Sequence, residues 1–144
     1  MARLPEFIAN HLYLVLLFAA ILMLLLWNIF GSDISGIRQV SPAEATQMMN
    51  REHALLLDVR SAEEFGTGHV LGAVNMPEAD LSTRKGELEK YKDKPLIACC
   101  QTGSVSMRAA RSLRFGSFGN VNCLRGGLAA WQAANLPLTR GVES

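Results

Sequence analysis

PLIACCQTGSVSMRAARSLRF, residues 95–115, changes character twice. Residues 96–99 form an apolar run too short for a stable helix, the pattern of a strand buried on both faces. A small polar loop follows, and the periodic stretch MRAARSLRF rises directly from it. Working outward, comparable apolar runs recur at 54–59, 73–76 and 121–124, while residues 81–91, 106–115 and 128–134 have helical character. Upstream, SPAE at 41–44 marks a helix start: Ser41 caps, Pro42 occupies the first turn and Glu44 completes a capping box. That helix is predicted to end near Met49. Strand and helix alternate, so residues 37–144 are predicted to form an α/β domain with a mainly parallel sheet.

Before the domain lies LYLVLLFAAILMLLLWNIF, residues 12–30, without a single charge. As a helix it would be roughly 28 Å long, close to the hydrocarbon thickness of a bilayer. Tyr13 and Trp27 stand near its ends, where aromatic rings favour the interface. A secretory signal has a shorter apolar core and a small-residue cleavage site, whereas this run continues through Trp27, Ile29 and Phe30. The expected organisation is a short N-terminal segment (1–11), a transmembrane helix (12–30) that meets the lipid bilayer, a polar linker (31–36) and one folded domain.

A net charge of +1 and the absence of long basic runs argue against a nucleic-acid partner. Three cysteines, two of them adjacent, suit neither a disulfide framework nor paired zinc ligands. His11, His53 and His69 are scattered without ligand spacing, so no metal is expected.

Cys100 sits where the strand ends and a helix begins. Amide N–H groups of such a loop point at the sulfur, and the helix dipole favours the thiolate, which makes Cys100 a candidate nucleophile. Gly103 gives the loop freedom to curl around the sulfur, and Thr102, Ser104 and Ser106 add hydroxyls. A lone cysteine at a strand end is otherwise most often a small core residue.

Three stretches move the balance. DVRSAEEFGTGHVLGAVNMP at 58–77, CQTGSVS at 100–106 and RGGLAAW at 125–131 resemble, in order and spacing, the signatures and active-site loop of the rhodanese-like sulfurtransferase family. With its single span, the chain is similar to membrane-anchored members of bacterial inner membranes. The resemblance implies a five-stranded, mainly parallel sheet flanked by helices. It also implies a reaction: Cys100 takes sulfane sulfur from a donor as a persulfide and passes it to a thiol or cyanide acceptor, with no cofactor. Gln101, Thr102, Gly103, Ser104, Val105 and Ser106 would surround the substrate. Asp58, Arg60 and His69 are expected to brace the scaffold, Gly126 and Gly127 to form the last turn, and Trp131 to pack on the core. Only Cys100 gives the C-x-x-G spacing to Gly103; Cys99, one residue back, should face the opposite side of the sheet, and Cys123 should be buried.

Many active members carry arginine where this chain has Gln101 and Val105, which predicts weak handling of thiosulfate. The same departure supports an alternative, a catalytically weak module that binds membrane-protein partners. A cysteine phosphatase would need arginine six residues after the nucleophile, where Ser106 stands. Flanking charges balance and leave the topology open. The need for reduced thiols predicts a cytoplasmic domain.

Overall fold

A computed structural model describes residues 3–31, 36–116 and 118–141. The chain divides into two units, Met1–Gly36 and Ile37–Ser144. In the first, α1 (Arg3–Asn10) precedes α2 (Leu12–Phe30), a helix long and apolar enough to cross a membrane and without a buried residue. The expected linker falls mostly on residues 32–35, outside the described residues.

The second unit is built on β1 (Arg38–Val40), β2 (Leu55–Asp58), β3 (Val74–Asn75), β4 (Leu96–Cys99) and β5 (Val121–Leu124). They form one parallel five-stranded sheet in the order β1-β5-β4-β2-β3, which puts β4 at its centre. Alternation along the strands divides the core. Leu57, Leu96, Ala98, Val121 and Cys123 meet Ala109, Ala110 and Leu113 of α6 (Ser104–Arg114) on one face. Leu56, Ile97, Cys99 and Leu124 pack on the other against Ala45 of α3 (Pro42–Arg51), Phe65 of α4 (Ala62–Thr67), and Leu128 and Trp131 of α7 (Gly127–Ala133). A parallel sheet covered on both faces needs such continuous apolar strands.

The predicted elements stand with local differences. Ser41 caps α3 through the Glu44 N–H at 3.2 Å, and the helix runs two residues past Met49, to Arg51. Ser61 caps α4 in the same manner, and this helix of six residues is too short to show a helical period in the sequence. The single helix expected over 81–91 is instead a short α5 (Leu81–Arg84) followed by a 3-10 stretch, Lys85–Tyr91. Gly86 weakens the helix there, and only Leu81 and Leu88 are buried to hold the segment. β3 falls within the apolar run at 73–76, whereas β1 buries only Val40 of its three residues and leaves no hydrophobic pattern to delimit it.

Candidate active site

The central strand β4 delivers its carboxyl end into a tight loop, the position at which parallel α/β sheets present their ligand sites. Gly103 makes the loop turn with φ of 101°, a backbone region costly for side-chain-bearing residues. The chain then enters α6, two residues earlier than its hydrophobic pattern indicated.

The turn aims donors at one atom. Cys100 Sγ accepts the Gly103 N–H at 3.0 Å and the Ser106 N–H at 3.4 Å. The Cys100 thiol donates to the Ser106 hydroxyl oxygen at 3.6 Å, and that hydroxyl donates in turn to the Gly103 carbonyl at 3.0 Å. Burial alone would push this thiol up; the hydrogen bond with the Ser106 hydroxyl and those from the Ser106, Gly103 and Thr102 amides overcome that and hold it below the ordinary cysteine value. The α6 dipole acts in the same sense.

Two glycines hold the loop from the other side. Gly126 and Gly127 both have positive φ, 73° and 62°. A Cβ on Gly127 would stand 2.4 Å from the Cys100 carbonyl oxygen, so only glycine allows the approach. The approach lets the Leu128 and Ala129 amides donate to the carbonyls of Cys100 and Gln101, at 2.9 and 3.1 Å. Trp131 packs below, its indole N–H donating to the Pro137 carbonyl.

Asp58, Arg60 and His69 lie in the scaffold. Asp58, fully buried, accepts from Arg60 Nη2 at 2.8 Å and from the Arg60 backbone N–H at 3.1 Å. The guanidinium also donates to the Gly68 carbonyl at 2.7 Å, tying strand β2 to the end of α4. His69 stacks on Phe65 with ring centroids 3.7 Å apart, gives its Nδ1–H to the Phe65 carbonyl, and exchanges backbone hydrogen bonds with Thr139. Asn75 completes the brace by donating to the carbonyls of Asp58 and Arg60. Asn75 belongs to no titratable or metal-like pattern in the sequence; the pairing of β2 with β3 places it beside the Asp58-Arg60 turn.

Above the sulfur opens a cavity of about 270 Å³. Gln101, Thr102 and Val105 of the loop line it together with Cys100, whereas Ser106 is buried beneath and Ser104 is not in the wall. Val59 adds apolar surface, and two carboxylates absent from the sequence reading, Glu64 and Glu78, reach the mouth. They lie far from Cys100 in the chain. Arg108 of α6 pairs with Glu78 at 3.1 Å. No group of three or more His, Cys, Asp or Glu suited to a metal occurs among the described residues.

A loop of amides around an activated cysteine, on this sheet order, defines a class, and comparison with known proteins gives it a name. The family model of the rhodanese-like domain matches residues 41–134, and the chain belongs to that family. It is 34% identical over 142 residues to the uncharacterized protein YibN of Escherichia coli (strain K12), covering 98% of this chain and 99% of that one. The thiosulfate sulfurtransferase GlpE of Shewanella oneidensis is 31% identical over 102 residues, covering 71% of this chain and 99% of GlpE. Among solved structures, the rhodanese-like domain of the Anabaena protein Alr3790 superposes with a TM-score of 0.64 at 29% identity, covering 72% of this chain and 79% of that one.

Proposed function

We propose that this protein is a sulfurtransferase that carries sulfane sulfur on Cys100 at a membrane surface. The observation that carries the reading is the convergence of N–H groups on Cys100 Sγ. Such donors stabilise the thiolate, and the same cradle suits the anionic outer sulfur of a persulfide. In the first half-reaction the Cys100 thiolate attacks the outer sulfur of a donor R–S–SH. The donor's S–S bond breaks, R–S⁻ leaves and takes up a proton, and a new S–S bond forms on Cys100. In the second, an acceptor thiolate or cyanide attacks that outer sulfur and Cys100 leaves as thiolate. Electrons balance without an external oxidant or cofactor. Gln101, Thr102 and Val105 shape the entry, and Gly103 and Ser106 hold the sulfur. Full-length protein incubated with a low-molecular-weight persulfide should gain about 32 Da, one sulfur atom, and lose it on addition of cyanide. Unchanged mass would favour a binding module instead.

The apolar helix α2 supports the second part of the proposal, that the protein is a single-pass protein of a bacterial inner membrane with residues 37–144 in the cytoplasm. Cys99, Cys100 and Cys123 are free thiols, and persulfide chemistry requires a reducing compartment. Tethering also favours donors and acceptors that reside at the bilayer, membrane proteins included. A membrane-impermeant thiol reagent should leave Cys100 unlabelled in sealed cells and label it once the membrane is opened; rapid labelling of sealed cells would place the domain outside.

A further inference from the structure

The sulfur cavity has a neighbour. A second cavity, also about 270 Å³, shares Arg60 and Gln101 with it and extends toward Gln132, Leu138 and Arg140. The two lobes differ in charge. Glu64 and Glu78, the latter paired with Arg108, stand in the wall of the sulfur lobe beside Arg60, whereas no carboxylate lines the second, which is walled by two guanidinium groups and two primary amides. Arg60 is matched by Asp58 at 2.8 Å, but Arg140 has no carboxylate partner among the described residues, nor do the side-chain amides of Gln101 and Gln132 have a protein partner among them. Among the described residues, the second lobe therefore carries a surplus positive charge and side-chain donors that face solvent.

We propose that this lobe binds the carboxylate of a peptidic thiol or persulfide whose sulfur lies at Cys100. The assignment rests on the sulfur-transfer reading and narrows its substrate class. A small sulfur oxyanion would bring its whole charge to the lobe that holds Glu64 and Glu78. An extended molecule keeps its reacting sulfur at the amides around Cys100 and places its carboxylate at Arg140, away from Glu64, so that the carboxylate meets the complementary charge. Guanidinium and carboxylate are matched in shape as well as sign, and Gln101 and Gln132 supply further donors.

The test uses full-length protein in detergent, with N-acetyl-Cys-Gly and N-acetyl-Cys-Gly-Gly as probes, each as free acid and as C-terminal amide. Calorimetry on the Cys100→Ser protein measures binding without chemistry. The acid of the better-fitting length should bind about tenfold more tightly than its amide. Arg140→Ala removes the cation, and Gln132→Glu opposes the anion from α7; both should bring the acid-to-amide ratio close to one. In wild-type protein, the persulfide forms of the probes should show the same preference in KM, not in kcat. Equal binding of acid and amide, or a preference untouched by both substitutions, would overturn the proposal. An Arg140-dependent preference in a wild-type protein that never gains sulfur would uphold the carboxylate lobe and refute sulfur transfer, so the two failures are distinct.

Discussion

Cys99 and Cys100 share a peptide bond and are almost equally hidden, 0% and 3% exposed, yet the fold gives their thiols opposite chemistry. Cys99 ends β4 and turns into the face covered by α3 and α7. Burial pushes its thiol well up, and Asp58, its neighbour across the β2–β4 ladder, pushes it further. Cys100 turns toward α6, where amides and the Ser106 hydroxyl outweigh desolvation and draw its thiol down. Cys123 shows that proximity to α6 is insufficient: its thiol donates to the Ser106 carbonyl, and burial raises it to about 11. The direction in which each thiol is shifted follows the N–H donors around it, not concealment from water.

Removing each thiol should expose the difference most sharply. Cys100→Ser should reduce sulfur transfer on the order of 10³-fold or more, the loss of a covalent nucleophile. Cys99→Ala should keep transfer within about threefold and cost only ~1–2 kcal/mol in a denaturant melt, the price of a small core truncation. Transfer lost in the second variant and kept in the first would reverse the assignment.

A pH series separates the three thiols in one protein. Alkylation of Cys100 should reach its half-maximal rate below the ordinary cysteine value of ~8.5, while Cys99 and Cys123 stay unreactive in the folded protein. Stability should respond with opposite signs. The depressed thiol of Cys100 contributes stability that is present above the unfolded value and lost as pH falls through the folded one. Cys123 does the reverse: between ~8.5 and its folded value of about 11, the unfolded chain has released a proton that the folded one retains, so stability declines as pH rises. Cys99 adds to that decline. A Cys100 alkylation midpoint equal to that of the denatured chain would remove the distinction.

These two cysteines also mark what sequence could and could not disclose. Strand alternation places 99 and 100 on opposite sides, so the register was legible from local pattern, whereas the choice of Cys100 as candidate nucleophile drew on the family's C-x-x-G spacing. The apolar runs of β2, β4 and β5 were legible for the same reason, since strands buried on both faces leave an unbroken signature. Glu64, Glu78, Asn75 and Arg140 were not, because each reaches the site through pairing or packing between segments distant in the chain. Gly127 was read as a turn; its close approach to the Cys100 carbonyl is a tertiary constraint.

Smaller changes refine the comparison. Ser106→Ala takes one hydroxyl from the sulfur and leaves the amides, so the Cys100 alkylation midpoint should rise and loading near neutral pH should slow about three- to tenfold. No change in midpoint would confine Ser106 to holding Gly103. Val105→Arg places a cation in the wall of the sulfur cavity and should lower KM for thiosulfate several-fold with little change in kcat. A wild-type protein already saturated by micromolar thiosulfate would contradict that account of the loop.

Peptide mapping after donor loading tests the central claim most directly. Full-length protein is exposed to a persulfide donor, its thiols are blocked, and fragments spanning residues 95–108 and 118–125 are sequenced by mass spectrometry. The account predicts one added sulfur, on Cys100, with Cys99 and Cys123 carrying none. Sulfur on Cys99 or Cys123 in preference to Cys100 would contradict it.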